Sequence, residues 1–195
     1  MKKMIAVLLT AMMLCSLTVS LAEETNDYTK LPETPGSHIA VICFSATDNT
    51  WGIAEKIAAA TGADLLRIEA EVPYTADDLR WTDDKCRANK EQNDDTCRPG
   101  IANMPESLDG YDVVFIGYPI WWGTIPQIIK TLVEAQTWEG KTIIPFCTSG
   151  SSGISTSIRD LKALNSGAEV LDSGRRFSAG ASEQEVKNWL TEIGY

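Results

Sequence analysis

Polar and small residues occupy the junction between an apolar run and an amphipathic segment early in the chain. They are Ser45, Ala46, Thr47, Asp48, Asn49 and Thr50. The backbone N–H groups that begin a helix point outward, and the helix dipole favours an anion there. Hydroxyl and amide side chains add donors without charge. Ordinary N-capping uses the same residue types but needs only one of them, so the run predicts a phosphate-binding loop.

Two further loops carry residues suited to a bound ligand. The first consists of Tyr118, Pro119, Ile120, Trp121, Trp122 and Gly123. Its large rings are costly to expose unless they contact something flat, the alternative being that they pack over a sheet edge. The second consists of Thr148, Ser149, Gly150, Ser151, Ser152 and Gly153. Its glycines allow the backbone to approach a ligand closely, the alternative being a flexible turn.

The elements that must position these loops alternate between strands and helices. Apolar runs predict strands at 38–44, 64–68, 111–117 and 142–147, with a weak fifth at 169–172. Helical spacing predicts helices at 50–61, 125–135, 155–164 and 182–193. The long polar crossover 70–109 is predicted to contain a helix around 76–91. This alternation predicts an α/β fold with a parallel sheet covered by helices on both faces.

All three loops follow strands of this sheet, so they are expected at its carboxyl edge, where open parallel sheets bind ligands. The first loop could bind a phosphate, the second could stack on a flat ring, and the backbone of the third could approach a ligand closely. Together they suit a flat aromatic cofactor with one phosphate. A dinucleotide suits them less, because no G-x-G-x-x-G turn follows the first strand.

Composition excludes several classes of function. The 195 residues are 44% hydrophobic and 23% charged, as in ordinary globular proteins, and the net charge is -10. An acidic protein is a poor partner for nucleic acid or for an anionic membrane. The only histidine, His38, rules out a multi-histidine metal site.

The N-terminal residues have the pattern of an export signal. Lys2 and Lys3 precede an apolar run, and Ala22 ends it at a small-residue cleavage pattern. Residues 1–22 are therefore predicted to be a signal peptide, 23–37 a flexible linker and 38–195 the folded domain. A retained membrane anchor and a lipoprotein linked through Cys15 are the alternatives. Export without stable membrane insertion is expected after cleavage, which would leave 15 basic and 27 acidic residues, a net charge of -12.

The four cysteines of the predicted mature chain fall into two pairs. Cys43 and Cys147 lie in apolar runs and are predicted to be buried, inert strand thiols. Cys86 and Cys97 lie in a polar stretch of the crossover. Outside the cytoplasm such a pair is a candidate disulfide, the alternative being two unrelated thiols.

Several segments resemble the flavodoxin-like family. The most specific is the run Tyr118-Pro119-Ile120-Trp121-Trp122, and the segments 44–50, 140–142 and 148–150 also match. The resemblance covers about residues 39–195. It implies a doubly wound sheet of five parallel strands in the order 2-1-3-4-5, bound FMN and redox work.

The resemblance also implies roles for individual residues. Ser45, Thr47, Asn49 and Thr50 would hold the FMN phosphate. Residues 119–123 would border the isoalloxazine, with Trp121 or Trp122 stacked on it, and residues 148–153 would approach the ring from the other side. The family motif has glycine where this chain has Asp48. A carboxylate repels a phosphate, and a left-handed backbone costs aspartate more than glycine.

The leading interpretation is an FMN electron-transfer protein outside the cytoplasmic membrane, whose partner is a redox protein or a small acceptor. No residue is predicted to be catalytic, because the flavin carries the chemistry. One alternative is an FMN-dependent NAD(P)H:quinone-type oxidoreductase. The other is a non-redox binding module that has lost FMN, an interpretation that Asp48 favours.

Overall fold

The computed structural model describes residues 38–164 and 167–195. The predicted signal peptide and linker lie outside the described residues. Within the described part of the chain, no helix has the length and apolarity needed to span a membrane.

The core of the fold is one parallel sheet. Its strands are β1 (Ile39–Phe44), β2 (Asp64–Ile68), β3 (Val113–Pro119), β4 (Thr142–Thr148), β5 (Glu169–Val170) and β6 (Arg175–Phe177). They follow the order β2-β1-β3-β4-β5, with β6 also paired to β4. Strand order reverses beside β1, because β2 and β3 pair with opposite edges of that strand. The predicted fold class and strand order are confirmed.

Helices cover both faces of this sheet. They are α1 (Asn49–Thr61), α2 (Arg87–Gln92), α3 (Gln127–Ala135), α4 (Ser155–Leu164) and α5 (Glu183–Glu192). One face of the sheet, which includes Val41 and Cys43 of β1, packs against α1 and α5. The other face, which includes Ala40 and Ile42, packs against α3 and α4. Alternate residues of β1 therefore enter two separate cores, which explains why the strand is apolar throughout.

The crossover between β2 and β3 contains far less helix than predicted. The expected helix around 76–91 is wrong except for the part that α2 occupies. Side chains in this segment bind backbone groups that a helix would need. The Asp78 carboxylate accepts hydrogen bonds from the N–H and hydroxyl of Thr75 at 2.9 and 2.8 Å. The Asn89 amide donates to the carbonyls of Trp81 and Asp83 at 2.9 and 2.7 Å. Such local bonds favour turns over helix.

The fifth strand is interrupted, in contrast to the single strand predicted at 169–172. The carbonyl of Ile143 accepts from Leu171, so alternate residues of β4 direct their backbone groups toward β5. Pro145 is the next such residue and has no N–H to donate. A Cβ on Gly174 would lie 2.6 Å from the Pro145 carbonyl oxygen. The ladder therefore breaks beside Pro145 and resumes in β6.

The two pairs of cysteines differ in outcome. Cys43 and Cys147 are buried in strands, as predicted. Burial raises the pKa of the Cys147 thiol to about 12 and that of Cys43 further. The predicted bond between Cys86 and Cys97 is not formed, and both thiols are free. Cys86 instead caps α2, because its Sγ accepts a hydrogen bond from the N–H of Asn89 at 3.4 Å.

Thiol counting on unreduced protein tests whether Cys86 and Cys97 are both free. The structure predicts that Cys43, Cys86, Cys97 and Cys147 all react after denaturation, whereas in the native state Cys97 reacts first, because the other three are buried. If two of these four were unreactive in denatured, unreduced protein, the free-thiol arrangement would be contradicted.

Candidate functional site

The loops predicted to bind a ligand lie together at the carboxyl edge of the sheet. Thr148, the last residue of β4 and the first of the third loop, makes hydrogen bonds to both of the other loops. Its hydroxyl is 2.7 Å from the hydroxyl of Thr50 in the first loop, and both side chains are buried. Its carbonyl accepts from the N–H of Ile120 in the second loop at 2.9 Å. The three loops therefore meet at the carboxyl edge of the sheet, as predicted from the positions of the strand ends.

The hydroxyl pair of Thr50 and Thr148 is expected to stabilise this junction. Thr50→Val leaves the buried Thr148 hydroxyl without its partner, and this should lower the free energy of unfolding by about 1–3 kcal/mol. Replacing both threonines with valine should cost less than the single change, because no hydroxyl is then left unpaired. Urea unfolding of the two single variants and the double variant measures this, and strictly additive losses would show that the pair is not coupled.

The first loop presents donors at its exposed residues. Ser45 and Thr50 are buried, and Thr50 is already engaged with Thr148. Thr47 and Asn49 are exposed, and the Asn49 amide donates to the Thr47 hydroxyl at 3.2 Å. They lie where α1 begins, and the first N–H groups of a helix have no partner within the helix. Thr47, Asn49 and this first turn are therefore the groups best placed to hold a phosphate.

Asp48 adopts the left-handed conformation that the glycine of the family motif would adopt freely. Its φ is 61°, and its side chain makes no capping hydrogen bond to α1. The carboxylate instead forms an ion pair with Arg67 near the end of β2. The negative charge expected to repel a phosphate is therefore paired with a guanidinium.

The aromatic loop is a tight two-residue turn. Trp121 and Thr124 exchange both backbone hydrogen bonds at 3.0 Å. Between them, Trp122 and Gly123 have φ values of 48° and 84°, the pattern of a type I′ turn. Positive φ is strained for tryptophan, and such strain persists mainly at functional sites. The turn leaves Trp122 45% exposed.

The other aromatic residues of this region support the turn from below. Trp121 packs edge-on against Phe44 and Tyr74, with centroid distances of 5.6 and 5.3 Å. The Tyr74 hydroxyl donates to Glu91, which also accepts from Arg87. Burial, reinforced by the hydrogen bond to Glu91, raises the pKa of Tyr74 well above its usual range. Tyr74 is therefore an uncharged side chain whose packing helps to orient Trp121.

Tyr118, predicted at the site, is placed elsewhere by the structure. Its side chain is fully buried and its hydroxyl donates to Ser157 at 3.0 Å. Burial raises its pKa. The side chain of Tyr118 therefore belongs to the core below the site.

A groove of about 360 Å³ runs between the first two loops and the crossover. Its volume falls in the range of small-molecule sites. Sequence reasoning missed the contribution of the crossover, Leu79, Trp81 and Ala88. Trp81 is 72% exposed, and its place beside the groove depends on how the crossover folds rather than on its neighbours in the sequence. The predicted residues that line the groove are Ala46, Thr47, Pro119, Ile120, Trp121 and Trp122.

The third loop is anchored on β6 rather than on the groove. The Ser149 carbonyl accepts from Arg176 at 3.1 Å, and its N–H donates to the Phe177 carbonyl at 3.4 Å. A Cβ on Gly150 or Gly153 would meet nothing within 4 Å. The segment from Gly150 to Gly153 is therefore open, as a loop that receives a ligand should be. Of its predicted members, Thr148 joins the other loops directly, whereas Ser149, Gly150, Ser151, Ser152 and Gly153 do not line the groove.

The donor set fits the FMN that the resemblance implies. Uncharged donors and a helix N-terminus suit a phosphate, while the exposed indoles and apolar groove walls suit a flat ring. Among the described residues, no group of three or more His, Cys, Asp or Glu side chains could hold a metal ion.

Comparison with known proteins agrees with this geometry. A family model described as flavodoxin matches residues 38–193. A crystal structure of a protein assigned as a flavoprotein, from Bacteroides uniformis, is 38% identical with a TM-score of 0.73, and the match covers 78% of this chain and 97% of that one. A counterpart from Bacteroides eggerthii is 40% identical with a TM-score of 0.69, and the match covers 80% and 98%.

A more distant match is to a flavoprotein from Lactobacillus acidophilus solved in complex with FMN. It is 22% identical with a TM-score of 0.54, and the match covers 77% of this chain and 97% of that one, which shows a shared fold. Comparison with curated proteins gives no match.

Proposed function

The chain belongs to the flavodoxin family, and on this premise we propose that it is an FMN-binding protein that transfers electrons outside the cytoplasmic membrane. The observation that carries the proposal is the groove between Thr47 and Trp122. It places an uncharged anion site and an exposed aromatic surface on one rim. The FMN-bound flavoprotein from Lactobacillus acidophilus shares the fold.

Different residues of this chain contact the phosphate and the ring of FMN. Thr47, Asn49 and the first turn of α1 bind the phosphate, and Trp122 offers its face to the ring. Trp121 fixes the position of the turn through its contacts with Phe44 and Tyr74. When bound, FMN supplies the redox chemistry, while the protein supplies binding and orientation.

The pairing of Asp48 with Arg67 favours this proposal over a module that has lost FMN. That alternative depended on an unpaired carboxylate at the phosphate loop, and here the carboxylate has a partner. Export is proposed from the sequence of residues 1–22, which has the layout of a secretory signal.

The acidic surface suggests how a partner is recruited. With a net charge of -12 after removal of the signal, the protein should attract a basic redox partner over long range. Screening by salt shortens that range to about 10 Å at 0.1 M ionic strength. Electron transfer to a basic acceptor should therefore slow steeply as salt is added.

Stopped-flow oxidation of the chemically reduced, FMN-loaded protein by cytochrome c, used as a basic test acceptor, checks this proposal. We expect at least a tenfold fall in the bimolecular rate constant between 10 and 300 mM salt. Absence of electron transfer would reject the carrier function, and a rate that ignores salt would reject steering. A parallel assay with NADH or NADPH and a quinone separates the carrier from an oxidoreductase, because only the latter turns over.

A further inference from the structure

Arg67 makes three contacts with the phosphate loop and the start of α1. Its Nη2 donates to the Ser45 carbonyl at 3.1 Å and to the Asp48 carboxylate. Its guanidinium carbon lies 5.2 Å from the centroid of the Trp51 ring, within the range of a cation–π contact. Arg67 lies on β2, whereas Ser45 and Asp48 lie in the connection from β1 to α1 and Trp51 lies in the first turn of α1. One side chain therefore ties this connection to the neighbouring strand.

The contact with Asp48 affects the net charge of the phosphate loop. Residues 45–50 include no Lys or Arg, and their one formal charge is the Asp48 carboxylate. The Asp48 side chain is 72% exposed and that of Arg67 28% exposed. An exposed ion pair of this kind contributes little to folding stability. Next to a bound phosphate, however, an unpaired carboxylate is repulsive, and removing one member of a pair leaves the other uncompensated.

The geometry points to Arg67 as a positioning residue for the phosphate of FMN, an inference that rests on the proposed function. Arg67 holds the Asp48 carboxylate and cancels its charge, so that the first turn of α1 stays favourable to an anion. The pair of Asp48 and Arg67 thereby does what the glycine of the family motif does alone, which is to leave the loop uncharged.

Titrations with FMN and riboflavin test this inference, because the two flavins share a ring and differ in the phosphate. The full set is the wild type, Arg67→Gln, Asp48→Gly and the double variant, each measured by quenching of flavin fluorescence and by thermal unfolding. Arg67→Gln should weaken FMN binding about tenfold or more and riboflavin binding less than threefold. In the Asp48→Gly background the same change should cost less than threefold for FMN.

The conservative variant and the controls separate positioning from a structural role. Arg67→Lys keeps the charge but cannot reproduce a planar guanidinium, so it should recover part of the FMN affinity lost in Arg67→Gln. An equal loss for FMN and riboflavin, or a loss that persists in the Asp48→Gly background, would overturn the inference and leave the proposed function intact. Failure of the wild type to bind FMN would overturn both.

Discussion

Trp122→Ala is expected to weaken FMN binding by about tenfold to a hundredfold, since stacking of a heteroaromatic ring on an aromatic side chain is worth roughly 1–3 kcal/mol. Trp122 is the exposed ring of the turn and lines the groove. Its alanine replacement keeps a non-glycine residue at a φ of 48°, so the strain of the turn is retained while the ring is lost. Fluorescence titration with FMN gives the change in affinity directly.

Two further variants control this prediction. Val72→Ala truncates an exposed apolar side chain of the crossover that does not line the groove, and it should leave FMN affinity unchanged. Trp81→Ala removes the indole that the crossover contributes to the groove and should weaken FMN binding. If Trp122→Ala bound FMN as tightly as the Val72→Ala control, the groove would not be the flavin site.

Gly117→Ala is expected to lower the free energy of unfolding by about 3 kcal/mol, the upper part of the range for overpacking. Gly117 lies in β3 directly opposite Phe146 of β4. A Cβ at Gly117 would lie 2.2 Å from Cζ of the Phe146 ring, and because that ring is fully buried, any shift of it disturbs the packing of its neighbours. Urea unfolding followed by circular dichroism measures the change.

Gly52→Ala is the matched control. Gly52 lies inside α1, and an added Cβ there meets nothing within 4 Å. Alanine in place of glycine in a helix is worth about 0.5–1 kcal/mol of added stability. Opposite signs for the two glycine variants are therefore expected, and a neutral Gly117→Ala would contradict the packing of Phe146 against β3.

Local sequence patterns predicted the fold well where the elements depend on their own residues. Four strands and four helices follow from apolar runs and helical spacing, and the structure contains all eight. The fifth strand was misjudged, because its interruption depends on Pro145 in the neighbouring strand. The helix in the crossover failed because side-chain bonds such as that of Asp78 to Thr75 compete with the helix.

The site was predictable only in the part that follows directly from the strand ends. The shared carboxyl edge of the strands predicted that the three loops lie together, but it could not show that Tyr118 points into the core. Trp81 and Arg67 contribute through contacts distant in sequence. Arg67 could have been identified from the sequence, because a cation near the carboxyl end of β2 is expected at the same edge of the sheet as the loops. The role of Trp81 required knowing how the crossover folds back over the sheet edge.

The most direct test of the flavin site is the absorption spectrum of the purified protein after mixing with FMN and desalting, with riboflavin as the matched ligand. We expect that FMN is retained at about one molecule per chain with peaks shifted from those of free FMN, and that riboflavin, which lacks the phosphate, is retained far less. A protein that loses FMN completely on desalting, or retains the two flavins equally, would contradict a phosphate-anchored flavin site between Thr47 and Trp122.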